Sequence, residues 1–445
     1  MLTQFLRFIC PFLSIMICGH FSREELDAAS LASTVSVLYV HRLSVINVLG
    51  LCIDMGFSTA SETLFSQVSL DTVVFKQLSV VFSSALVIMT LIFITLACIH
   101  VNIEGLLLVA RQDPLISSLA AEYILFFLPG LYCDFLFMTL SRYLTSQNLV
   151  RPMMIAASAG TIFTVLTQPA VYRLGLGLRQ NLLFFNLKNW EQRAHFLFFN
   201  LQQSCASLTR RLSWDFAAAM SEWGIFFKLG IPGILMIGFE EWCLEFSTFI
   251  AGTISDAVLG AQAIVFQIQS FIYMVPLGIC TAVNVRVGQG LGAFDPQRAK
   301  HTYMTALFSV FGIVITTAVP VVLLRHKIPY LFTTDEEVIE EAVKLFPMLL
   351  IFQFCEGLGG VSEAVLLACG RQFLGAITIF LGYYVVGLPL GLLLTYKVGI
   401  GIIGMWVGLA TGFFLTDCVY TFIALRTDWK DQSRRVRVSS SSSSL

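Results

Sequence analysis

Apolar residues run along this chain in blocks about as long as a bilayer is thick, separated by short breaks that carry Pro, Gly or charge. The blocks fall near residues 2–20, 28–66, 73–100, 118–145, 151–172, 223–250, 257–285, 302–324, 342–369, 373–396 and 400–425. Each is read as a membrane-spanning helix, because roughly 20 apolar residues are needed to cross the hydrocarbon in helical form. The block at 28–66 is too long for one helix and is expected to be broken. One slot is defective: between Arg179 and Asp215 the chain carries Lys188, Glu191, Arg193 and His195 within about two turns, which a lipid-facing helix would not tolerate. That stretch is read either as an interfacial amphipathic helix or as sequence that replaced a twelfth span.

Inside the block that begins near 223, three carboxylates break the apolar run: Glu240, Glu241 and Glu245. No cation stands beside them in sequence. An ionised carboxylate at that depth costs several kcal/mol, so the segment is expected to turn these acids toward a cavity where protonation becomes a usable switch. The structural alternative is a hydrogen bond to a neighbouring helix. Glu241 and Glu245, four residues apart, share a helix face.

Composition agrees with the pattern: 57% of residues are hydrophobic, 12% are charged and the mean hydropathy is +0.81. A polytopic membrane protein of about 11–12 spans fills the length and leaves no room for a large soluble domain. The net charge of -1 and the lack of a basic stripe with interleaved aromatics argue against a nucleic-acid partner. The 11 cysteines sit singly in apolar runs, Cys10, Cys18, Cys52, Cys98, Cys133, Cys280 and Cys369 among them, without CxxC pairs or metal-ligand spacing to His. They are read as small core residues, and neither metal nor cofactor is expected. The opening residues lack a basic region and a cleavage site, so they are read as a first span, with room for a missing polar tail before it. The end, with Arg434, Arg435 and Arg437 before Ser439–Ser444, is expected to be a disordered cytoplasmic tail over 426–445. GQGLG, from Gly288, is read as a turn and not a phosphate loop, since no GK[ST] follows.

Loops after even-numbered spans hold Arg142 and Arg151, then Arg210 and Arg211, then Arg286, Arg298 and Lys300, and the C-terminal Arg cluster falls on the same side, which is read as cytoplasmic. The opposite loops carry Arg173, Arg179, Arg325 and Lys327. Two stretches pair up across the chain: the segments from Arg111 and from Thr333 each put an acidic helix start before an apolar run with a proline, and those from Arg142 and Ala364 follow in the same order. An offset of roughly 222 residues spans an even number of helices, which predicts parallel halves. The expected architecture is an all-α membrane protein of two pseudo-symmetric six-helix lobes around a central cavity. Its parts are an N-terminal lobe at 1–200, aberrant over 180–202, a linker at 201–222 and a C-terminal lobe at 223–425.

Several stretches resemble the multidrug and toxin extrusion (MATE) transporters, and most closely their eukaryotic drug/proton antiporters. Gly19–Ala32 is similar to the family's first loop and second-span start, and Ser61–Gln67 to that span's end. Lys228–Glu245, Leu259–Lys300, Leu381–Leu394 and Gly401–Leu409 make the C-terminal likeness nearly continuous. By this resemblance Glu240, Glu245 and Glu356 stand where the family has acids that couple cation and proton. Glu241 replaces an aromatic, and Gln267 replaces an eighth-span acid. The stretch Tyr39–Val48, with His41 and Arg42, is an addition inside the second span. Fifth-span asparagines are absent.

The implied function is export of organic cations and xenobiotics in exchange for protons by alternating access, from a monomer in the plasma membrane. Substrate-cavity candidates are Glu241, Trp242, Gln267, Tyr273, Tyr383 and Tyr384, the aromatics as cation–π surface or, equally, as packing and interfacial anchors. Asp54, Glu62, Asp134, Glu363 and Asp417 are cavity acids or, equally, span-end residues and helix glue. Pro232, Gly233, Pro276 and Pro389 suit kinks and close helix approach. The rival readings are a flippase of a related multi-span fold, which would want a cationic cavity, and a transport-incompetent variant acting as receptor or scaffold. No HExxH, GxSxG or GxGD pattern supports an enzyme.

Overall fold

A computed structural model describes residues 50, 52–68, 74–109, 114–151, 153–155, 158, 161, 162, 220 and 223–442. The expectations for the first span, for His41 and Arg42, for the 180–202 slot and for most of the linker lie outside these residues, as does the Asp134 side chain. The described chain is helical. In order it forms α1 (52–67), α2 (Val74–Val101), α3 (Ile103–Val109), α4 (Pro114–Ser146), α5 (Trp223–Ile254), α6 (Asp256–Gly292), α7 (Pro296–Leu324), α8 (Glu336–Ala368), α9 (Gln372–Val398), α10 (Ile402–Leu425) and α11 (Trp429–Ser442). Among the described residues, α2 from Leu78, α5, α6, α7, α9 and α10 are long and apolar enough to cross a membrane.

Local chemistry sets the helix ends. Ser255 accepts from the Val258 backbone N–H at 3.2 Å and starts α6; Asp295 accepts from that of Arg298 at 2.9 Å, with Pro296 following, and starts α7; Asp335 accepts from that of Glu337 at 3.0 Å and starts α8. These caps begin the helices before the apolar blocks do. In α9, Pro389 has no backbone N–H to give, and the helix on either side widens into π turns over Phe380–Gly387 and Leu393–Val398.

The chain divides into two compact units. One holds the described residues from Leu70 to Phe227 and those before Glu62. In it α2 lies along α4, with Phe82 against Tyr143 at 4.4 Å and Phe93 against Tyr132 at 4.7 Å between ring centres. Arg142 donates from Nε to the Ser58 hydroxyl at 3.1 Å.

The other unit holds Glu62–Ser69 and the chain from Lys228 onward. Its core is built where α8 packs on α6 and α10, around Phe346, Leu349, Phe352, Trp406 and Phe413. A buried polar chain ties three helices together: Trp406 donates from Nε1 to Gln262 Oε1 at 2.7 Å, and Gln262 donates from Nε2 to the Ser247 hydroxyl at 3.0 Å. GQGLG is not a turn. It forms the last turns of α6, because a Cβ at Gly292 would stand 2.2 Å from the Gln67 carbonyl oxygen, so glycine here serves close packing.

Within the stretch expected to be a disordered tail, Trp429–Ser442 form helix α11. Trp429, Gln432, Ser433 and Val436 are all buried, and their spacing of three, one and three residues is one face of a helix. Gln432 donates to the Cys369 carbonyl at 2.7 Å and Ser433 to the Leu291 carbonyl at 3.0 Å, meeting backbone acceptors at or near the ends of α8 and α6. Composition hid this face, because serine and arginine fill the other positions.

Candidate functional site

Four acids from three helices converge inside the C-terminal unit. Glu240 on α5 lies within Coulombic range of Glu356 and Glu363 on α8 and of Asp417 on α10. Asp417 is in turn within range of both Glu356 and Glu363. The last two stand seven residues apart on α8, two turns, and so share a face. All four carboxylates are half-buried. Among the described residues no Lys or Arg forms an ion pair with any of them, and no three acids, His or Cys stand close enough to hold a metal ion. The cluster is a set of separate acids, each able to take a proton or face a cation.

Contacts with neighbouring residues place three of the four acids. Tyr384 donates its hydroxyl to the Phe239 carbonyl at 3.1 Å, pinning α5 one residue before Glu240. Gln269 on α6, 4% exposed, donates from Nε2 to a Glu356 carboxylate oxygen. Asp417 presses onto Gly359, where an added Cβ would stand 1.7 Å from Oδ1. Room for that carboxylate therefore exists only because α8 carries a glycine there. Its Oδ2 is buried without a hydrogen-bond partner.

The other sequence candidates fall in several places. Glu241 is within range of Glu245 and of Glu240, on the half-buried side of α5. Trp242 is half-buried, its ring laid along Gly238. Tyr273 brings its hydroxyl against Gly360 and lies within range of Glu240, Glu356 and Glu363. Gln267 is half-buried, with a buried Nε2 that has no partner, and it is Gln269 that engages Glu356. Tyr383 is a core residue: 4% exposed and stacked on Phe413 at 4.1 Å, it keeps no free face for a cation. The Tyr384 ring is stacked on Phe380 at 5.6 Å. Asp54 and Glu62, on α1, are buried as well, and Asp54 belongs to the other unit.

Gln269 was not singled out by sequence, and nothing in the sequence marks it, since a lone Gln two residues past Gln267 has no pattern. Glu363 and Asp417 stood as equally plausible span-end residues until packing brought them to Glu240.

A bundle of apolar helices that keeps acids in its interior, with no Lys or Arg ion-paired to the four clustered acids among the described residues, defines a multi-pass integral membrane protein of the transporter class. The profile of the MatE family matches residues 1–169 and 232–393. Multidrug and toxin extrusion protein 2 of Oryctolagus cuniculus is 33% identical over 430 residues, covering 96% of this chain and 69% of that protein. Multidrug and toxin extrusion protein 1 of Danio rerio is 30% identical, covering 98% and 72%. Among solved structures, the eukaryotic MATE transporter AtDTX14 superposes with a TM-score of 0.83 at 24% identity, over 98% of this chain and 95% of that one. This chain belongs to the MATE family of multidrug and toxin extrusion transporters.

Proposed function

We propose that this protein exports organic cations in exchange for protons by alternating access, with Glu240 and Glu356 as the exchanging acids and Glu363 and Asp417 as the charged surround. The observation that carries the reading is the convergence of acids from α5, α8 and α10 without a cationic partner among the described residues. Ionised, the cluster attracts a positive guest. A proton taken from the more acidic side neutralises the acceptor and lowers the guest's affinity, so the two species are bound in turn. Glu241, within range of Glu240 and Glu356, and Glu245, one turn further along, extend the acids of α5, and Trp242 and Tyr273 are the aromatic surfaces left to contact an apolar cargo body.

A phosphate-bearing lipid cargo is disfavoured by the same cluster, because like charges would meet. The plasma membrane is the proposed site of action, and the monomer the proposed unit. Replacing Glu240 by Gln in proteoliposomes and following pH-gradient-driven efflux of a fluorescent cation tests the assignment. Efflux is expected to fall by at least tenfold, and an unchanged rate would remove Glu240 from the mechanism.

A further inference from the structure

Gln269 holds Glu356 with one end of its amide and leaves the other end unused. Ionised carboxylate oxygens accept and never donate, so the contact from Gln269 to Glu356 fixes Nε2 at the acid and Oε1 away from it. Oε1 is buried and has no hydrogen-bond partner, although the residue as a whole is 4% exposed. An interior acceptor in this state calls for a donor. The carboxylates within range of Glu356, those of Glu240, Glu241, Glu363 and Asp417, supply none when ionised.

We propose that Glu356 and Gln269 together recognise cations that carry an N–H, such as a protonated amine or a guanidinium, over quaternary ammonium ions of the same size. The carboxylate takes the charge and Oε1 takes the N–H. A quaternary ion satisfies the first and leaves the second unpaired. The inference rests on the reading of this cluster as the cation site, and it adds a coupling device. Once Glu356 is protonated its O–H becomes a donor, and turning the Gln269 amide over brings Oε1 to meet it in place of Nε2, so proton and cargo compete for the amide oxygen as well as for the charge.

The test is displacement of a fluorescent cation from the purified full chain at a pH only slightly alkaline, where the tertiary amine still holds its proton, using benzyldimethylammonium, with one N–H, and benzyltrimethylammonium, with none. The wild type is expected to bind the first roughly tenfold more tightly, the effect of one buried acceptor left unpaired. Gln269→Met keeps the shape but removes both the acceptor and the Nε2 contact to Glu356; the lost contact acts on both ions alike and cancels, so the ratio should fall to about one. A wild-type ratio near one, or a ratio unchanged in Gln269→Met, would overturn the proposal. If the variant fails to fold, the wild-type ratio decides. Proton-linked efflux persisting beside a wild-type ratio near one sinks this inference alone; an intact ratio without proton-linked efflux sinks the exchange reading alone.

Discussion

At Gly359 a single hydrogen in place of a side chain admits the Asp417 carboxylate to the acid cluster. Alanine there would put a carbon 1.7 Å from Oδ1, so either α10 or the carboxylate must move. Overpacking of this kind typically costs about 1–3 kcal/mol. Gly359→Ala should lower the thermal midpoint in detergent, and Asp417→Ala introduced beside it should restore most of the loss; a single variant as stable as the wild type would refute the contact. The acids themselves divide differently. Glu240 was legible in the sequence because three glutamates interrupt an apolar run, and Glu356 through its family resemblance. Asp417 and Glu363 were not, since 54 residues separate them and only the packing of α8 on α10 makes them neighbours. If Glu240 and Glu356 act as one exchanging unit, the double Gln variant should lose no more than about the larger single loss in efflux. Additive losses would mean two independent sites.

Helices are where hydropathy reads best and where it misleads at the ends. The apolar blocks anticipated α5 to α10 because burying backbone in lipid demands continuous helix, and they missed the first turns of α7 and α8, where capping by Asp295 and Asp335 carries the helix into polar sequence. The last helix was missed for the opposite reason. Its buried face is only four residues wide, Trp429, Gln432, Ser433 and Val436, and two of those are polar, so no apolar period announces it. What holds it is hydrogen bonding to the Cys369 and Leu291 carbonyls and the Trp429 ring against Tyr303, 6.4 Å between centres. Gln432→Ala breaks one of those bonds and also the contact from Arg371 at 3.2 Å. Losing a buried acceptor's partner costs about 1–3 kcal/mol. The expected result is a lower thermal midpoint and faster protease cleavage between α10 and α11, with Lys430→Ala, on the exposed face, as the control that changes neither.

Across the whole molecule the proposed exchange has a sign that can be measured. Protons bind the acids as the external pH falls and leave them on the alkaline side, where the freed carboxylates collect the cation. Acidifying the compartment opposite a cation-loaded one should therefore accelerate cation movement toward the acid, and reversing the gradient should reverse the direction. Dissipating the gradient with a proton ionophore should abolish accumulation yet leave downhill exchange of labelled for unlabelled cation, because binding in turn needs no net driving force. The Gln substitution at Glu240 separates two causes of failure: it should abolish the response to pH while the protein still binds to and elutes from detergent as the wild type does. If accumulation instead follows membrane potential and ignores the pH gradient, the acids attract cargo without exchanging protons, and the cluster of α5, α8 and α10 is a cation site alone.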